Sequence, residues 1–420
     1  MISLPLMSVT NAIHAPVVQL TRPFECVIIA CVCNADQPPG WAVAKGEEMI
    51  KQAFGVSLLA AAFVAAANAP VKADAASEGL AAAKEKLAVY TQKPVFKAPG
   101  EAFDAKACAT GKKQLSIPNS STNPFLKGII DREKKAGAEI GLQVKEWENQ
   151  GQPSQWVQGM EFAIRDKYDI VDLISGIDPS TIEPQVKAAK EAGVKVMTSH
   201  FYDPSDKQNP LVSSSLTIGF GEIGTILANW ATVVTDGKAN IVLIVSDEVP
   251  PTRPLVAGFK RELAAHCPNC KIVQEINVGV TEWATKIQPS VQSAVQAHPE
   301  VNVVIPIYDS MSQFVVPALR LTGKTGKVKV GTFNGTPFVL DYIQQGSVDM
   351  DIGESLDWIA YATVDGHVRD LCGLKSPTAL NVPFYIFDKH NAKDAGVPAG
   401  YDKGYGDAYI SGFHKLWKLQ

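Results

Sequence analysis

The side chains best suited to chemistry in this chain are amides at Asn119, Asn123 and Asn334, the Ser199-His200 pair, the carboxylates Asp309 and Glu354, the guanidinium of Arg253, and the rings of Phe125, Trp283 and Tyr308. Neither G-x-S-x-G nor H-E-x-x-H occurs, so no nucleophile or metal-bound water is set up by a hydrolytic motif. The set reads as recognition, not bond breaking. Amides, hydroxyls and carboxylates both donate and accept, as ligand hydroxyls require, and flat rings cover the C–H faces of a saturated ring. A small polar molecule such as a sugar or polyol satisfies that mixture. No cofactor, no metal and no catalytic residue is expected.

Three motifs tempt otherwise. Gly219-Phe220-Gly221-Glu222-Ile223-Gly224 fits G-x-G-x-x-G after an apolar run, which keeps an exported nucleotide-dependent oxidoreductase as the alternative. Its position in mid-chain, with Asp236 at a helix end instead of a strand end, points to glycines serving close packing. Leu321-Thr322-Gly323-Lys324-Thr325 lacks the first glycine of a phosphate loop and ends a helix. Cys267-Pro268-Asn269-Cys270 also closes a helix instead of opening one. A local disulfide, free thiols, a redox pair or half of a metal site with His266 all remain open there.

The elements that must position these residues follow a regular rhythm from Gln114. Short β-branched runs at 115–118, 142–146, 170–175, 194–199, 241–246, 271–277, 301–307, 329–333 and 348–353 alternate with amphipathic stretches of helical length, such as 124–140, 181–192, 253–266, 281–297 and 337–345. Strand-helix alternation means parallel sheets covered on both faces. Nine strands exceed one comfortable sheet, so the expectation is two Rossmann-like α/β lobes: residues 114–217 with 354–420, and residues 218–353, hinged near 216 and 353. In such sheets ligands sit beyond the carboxyl ends of the strands. That rule selects Asn119 to Phe125, Ser199-His200, Ser246 to Glu248, Tyr308-Asp309, Asn334 and Glu354, with Trp283 in the first turn of a following helix.

The beginning of the chain carries a different signal. From Met49 a lysine, an apolar run and two A-x-A sites make a secretory leader over 49–75, with cleavage after Ala75. Residues 1–48 are expected to be an untranslated or unstructured extension, and 76–113 a helix (77–90) with a spacer. Cys108, Cys267, Cys270 and Cys372 then remain, an even number for an oxidising compartment. With 39 Lys+Arg against 43 Asp+Glu, the net charge of -4 gives no electrostatic case for nucleic acid.

Over about residues 114–372 the chain resembles the type I periplasmic binding proteins of the ribose-binding kind. Asn123-Pro124-Phe125, Gly258-Phe259, Ala297-His298-Pro299-Glu300-Val301, Tyr308-Asp309 and Gly331-Thr332-Phe333-Asn334-Gly335-Thr336-Pro337 carry the resemblance. It implies two lobes that close over a sugar and dock on an ABC permease at the inner membrane, in the periplasm, as a monomer. A ligand-binding protein feeding a chemoreceptor or sensor kinase is the further alternative. It also implies ligand contacts at Asn123 and Phe125, with Ser199-His200, Tyr308, Asn334 and Glu354 at positions where sugar binders often carry other residues. Arg253 lies two positions before Leu255, which stands where the family has an arginine. Neutral residues at several clamping positions favour a polyol or unusual sugar over ribose.

Overall fold

The computed structural model describes residues 69–420 apart from Asp402. Residues 49–68 of the expected leader, and the extension before it, lie outside the described residues. From Ala69 the chain is helical to Ala88, so the first helix begins well before Ser77 and includes the last positions of the leader.

Two sheets follow. The first has the order β2-β1-β3-β4-β5, all parallel, from β1 (Lys113–Pro118), β2 (Gln143–Glu146), β3 (Ile170–Ile174), β4 (Lys195–Ser199) and β5 (Ser214–Leu216). The second has the order β11-β10-β9-β8-β6-β7, from β6 (Asn240–Val245), β7 (Lys271–Asn277), β8 (Val303–Pro306), β9 (Lys329–Asn334), β10 (Met350–Gly353) and β11 (Tyr385–Asp388). Helices bury both faces of each sheet, which is why every residue of β3 and β8 is buried, Asp172 of β3 included.

All nine expected strands are present. Two others, β5 and β11, were not foreseen, and β11 corrects the lobe boundaries. It pairs antiparallel with β10, Met350 opposite Asp388 and Gly353 opposite Tyr385, so residues near 385–388 belong with the second sheet and not the first. Tyr405 also packs into the core beneath that sheet. The helices Leu356–Leu371 and Ala408–Leu416 do return to the first lobe, where Trp358, Tyr361, Tyr409 and Trp417 stack in one aromatic block. The chain therefore passes between lobes again on either side of β11, in addition to the passes near 216 and 353.

The segment before β1 is more than a spacer. The helix Ala69–Ala88 lies along the helices Phe220–Val234 and Thr252–His266 of the second lobe, so close at Gly79 that a Cβ would sit 2.0 Å from the His266 carbonyl oxygen. Lys86 pairs with Glu262 at 2.5 Å and Tyr90 donates to Glu222 at 2.6 Å. Beyond Thr91 the chain reaches the first lobe, where Phe96 packs on Trp358 and Phe413, and Phe103 N–H donates to the Leu416 carbonyl. Cys108 and Cys372 form a disulfide inside the first lobe, and Cys267 and Cys270 form a local one in the second.

Candidate functional site

The carboxyl ends of both sheets face one another across a narrow cavity. Three non-glycine residues with positive φ lie on it, each at a strand end: Ser175 (φ 46) after β3, His200 (φ 52) after β4, and Asn334 (φ 146) closing β9. Left-handed backbone costs a non-glycine residue free energy, and such positions gather at binding sites. Here they turn three polar side chains out of the sheets toward the cleft.

The first lobe supplies Asn119, Asn123, Phe125, Leu126, Ser175 and His200 to the cavity. Asn123 also begins the helix Pro124–Glu139, its Oδ1 accepting from Phe125 N–H at 3.0 Å, with Pro124 preset for the first turn. The same oxygen accepts from Ser310 Oγ of the second lobe at 3.2 Å, so its amide nitrogen is the part left for a ligand. Asn119 donates through Nδ2 to the Gly176 carbonyl at 3.2 Å, and its own carbonyl accepts from Trp156 Nε1 at 3.0 Å.

The second lobe supplies Val249, Pro251, Val280, Trp283, Tyr308 and Asn334, and Phe220 enters from the crossing between lobes. Trp283 and Tyr308 are stacked, 6.3 Å apart and 28° from parallel. Their polar ends are satisfied by the protein. Trp283 Nε1 donates to Ser246 Oγ at 2.8 Å, and Tyr308 hydroxyl lies 2.9 Å from Thr252 Oγ1. What remains for the cavity is flat apolar surface.

Four of the expected site residues do not line this cavity. Ser199 turns its hydroxyl into the first lobe and donates to Asp172 at 2.7 Å. Asp309 is fully buried and holds the loop after β9, accepting from Thr336 N–H at 2.7 Å and Thr336 Oγ1 at 2.9 Å. Burial pushes its carboxyl up to about 7, against the pull of those donors. Asp351 grips the same loop through Gly335 N–H at 3.1 Å, and burial together with Asp309 raises it well above the usual carboxylate range. Only glycine fits at position 335, where φ is 78° and a Cβ would lie 2.2 Å from the Tyr405 hydroxyl oxygen. Arg253 lies on the outer rim, its side chain 81% exposed, paired at 3.3 Å with Asp206 of the first lobe. It is no replacement for an interior arginine. Glu354 sits one layer behind the cavity, 2.6 Å from His200 Nε2 and 3.3 Å from Asn334 Nδ2.

Ser175, Leu126, Phe220, Val249, Pro251 and Val280 escaped the sequence reading. Ser175 follows β3, so the strand-end rule would have selected it; Phe220 was hidden inside the glycine triplet. Those glycines serve helix packing: a Cβ on Gly224 would be 2.0 Å from the Leu255 carbonyl oxygen, and one on Gly258 2.1 Å from that of Gly221. Among the described residues no group of three His, Cys, Asp or Glu is placed to hold a metal ion.

Two α/β lobes enclosing a cleft between the carboxyl ends of their parallel sheets define a binding protein of the two-lobed type I class. The chain belongs to the family described as periplasmic binding protein domain, which it matches over residues 115–373. It is 24% identical over 270 residues to the ribose import binding protein of Salmonella typhimurium, covering 64% of this chain and 88% of that one. Among solved structures it resembles a 5-methylthioribose transporter solute binding protein from Thermotoga lettingae, with TM-score 0.65, 18% identity, and coverage of 75% of this chain and 99% of the other. It also resembles an ABC transporter solute binding protein from Agrobacterium vitis with bound allitol, with TM-score 0.60, 17% identity and coverage of 68% and 97%.

Proposed function

We propose that this chain is the exported solute-binding component of an ABC importer, closing its lobes over an uncharged, polyhydroxylated small molecule such as a polyol or unusual sugar. One observation carries the reading. The cavity combines the polar groups of Asn119, Asn123, Ser175, His200 and Asn334 with the flat faces of Trp283, Tyr308, Phe125 and Phe220, and no Asp, Glu, Lys or Arg lines it. Neutral amides exchange hydrogen bonds with hydroxyls, while a charged ligand buried here would lack a counter-charge on the wall. The ribose, 5-methylthioribose and allitol named for the relatives support the same class of ligand.

The free space in the cavity is about 30 Å³, too little for a ring-sized solute, so one enters only when the lobes part. Ligand then favours the closed arrangement because it touches both walls at once. Export to the periplasm rests on the leader at 49–75, and a monomer meeting a membrane permease through its cleft rims is the expected working form. A thermal-shift screen over polyols, neutral sugars, sugar acids, amino sugars and NAD tests the reading, because a ligand that binds only the folded state raises the melting temperature. Stabilisation by a neutral polyol or sugar without turnover is the expected result. Stabilisation by NAD or by charged sugars alone would overturn it.

A further inference from the structure

His200 is the most elaborately held side chain of the cavity. Its ring meets the edges of Phe125 and Phe220 at 5.1 and 5.4 Å and lies parallel to Phe333, 8° apart at 6.4 Å. Nε2 lies 2.6 Å from Glu354 Oε1, and that same oxygen accepts from Asn334 Nδ2 at 3.3 Å. His200 and Glu354 are 2% and 0% exposed, and His200 Nδ1 is buried without a protein hydrogen-bond partner.

A carboxylate oxygen accepts, so the 2.6 Å contact is made when Nε2 carries the hydrogen, and a neutral ring in that tautomer has its lone pair on Nδ1. A buried acceptor left alone costs about 1–3 kcal/mol, Nδ1 is such an acceptor in this tautomer, and His200 lines the cavity. We propose that Glu354, seconded by Asn334, is a positioning residue that holds His200 as the Nε2–H tautomer, so that Nδ1 accepts a hydrogen bond from a hydroxyl of the bound solute. His200 comes from the first lobe, whereas Asn334 closes a strand of the second. The chain His200–Glu354–Asn334 thus ties recognition of one hydroxyl to the approach of the lobes. Behind Glu354 stand Asp309, Asp351 and Tyr405, whose carboxyl groups and hydroxyl face the same side chain and are themselves raised by burial. The proposal deepens the reading of the cavity as a site for hydroxylated solutes and rests on it for the identity of the donor.

Two measurements separate the proposals. Nitrogen-15 imidazole shifts of the ligand-free full chain should show His200 with a protonated Nε2 and a bare Nδ1; a protonated Nδ1 or a charged ring at neutral pH overturns the tautomer assignment, whatever the solute. Calorimetry with allitol and myo-inositol as probes, each beside a mono-O-methyl derivative series, reads the hydroxyl. Glu354→Gln should weaken the better probe at least about tenfold, His200→Phe should do the same, and His200→Gln, which restores an acceptor, should recover part of the loss. Wild-type affinity in both Glu354→Gln and His200→Phe, with a normal melting temperature, overturns the proposal. If neither probe nor any neutral polyol binds the wild type, the reading of the site falls while the tautomer measurement still decides the positioning role.

Discussion

The two walls of the cavity differ in kind. The first lobe presents hydrogen-bonding groups, Asn119, Asn123, Ser175 and His200, whereas the second presents surface, Val249, Pro251, Val280, Trp283 and Tyr308, with Asn334 as its polar exception. In the second wall the indole N–H and the phenol are spent on Ser246 and Thr252, so the rings act as planes. For the polyhydroxylated solute proposed above, the division would let one lobe set the pattern of hydroxyls read while the other excludes water and packs the C–H face. The lobes also differ beneath their sheets. The first buries Glu133 and Asp172 beside His367, acids raised by burial next to an imidazole lowered to about 3. The second buries Asp309 and Asp351 against the loop that carries Asn334, with no such imidazole opposing them.

The sharpest way to break the comparison is to remove the second wall. Trp283→Ala should weaken binding of the best neutral solute by about 100-fold, equivalent to about 2.7 kcal/mol, and Trp283→Phe should keep most of the affinity. A Phe variant as damaged as the Ala one would mean the indole N–H contacts ligand. Next comes pH. Asp309 is protonated in the folded chain up to about pH 7 but ionises in the unfolded chain near pH 4. Between those values the unfolded state binds fewer protons, so stability falls as pH rises, and Asp351 acts in the same direction. In the first lobe Glu133 and Asp172, also raised by burial, add to this trend, while His367 opposes it, because between about pH 3 and its ordinary 6.5 the unfolded state binds the proton. Melting temperature should therefore drop on going from pH 5 to pH 7, and Asp351→Asn should flatten the drop; an unchanged slope would remove the second-lobe acids as its cause.

Asn123→Ala tests the first wall and should weaken ligand about tenfold. It should also cost about 1 kcal/mol in urea unfolding through the lost helix cap, whereas a stability loss with intact affinity would confine Asn123 to capping. The smallest effect is expected for Tyr308→Phe. Its hydroxyl serves Thr252, so affinity should change less than about threefold while stability falls by about 1 kcal/mol.

The sheets were legible because β-branched runs and helical periodicity repeat plainly through residues 114–353, and the strand-end rule then found Asn119, Asn123, Phe125, His200, Tyr308 and Asn334 together. β5 was not legible, since Ser214–Leu216 offers three residues, two of them serines. Nor was β11, whose four residues, Tyr385–Asp388, gain their meaning only by pairing with β10. Ser199 and Asp309 show the limit of the rule. Alternate residues at a strand end point to opposite sides, and a buried carboxylate that holds a loop has the same sequence signature as one that holds a ligand. The strap before β1 was hidden for another reason: Phe96 and Phe103 find their partners in the last helix, far along the chain.

The Cys108–Cys372 bond spans 264 positions and encloses the local Cys267–Cys270 pair. For a chain that emerges amino end first, this sets an order of events. Cys108 is exposed to oxidation while the whole second-lobe sequence up to β10 is still arriving, and the first thiols to follow it are the wrong ones. A bond between Cys267 and Cys270 formed before Cys372 arrives would take both competitors out of exchange. With Cys267 and Cys270 joined to each other, neither is left to pair with Cys108 in place of Cys372.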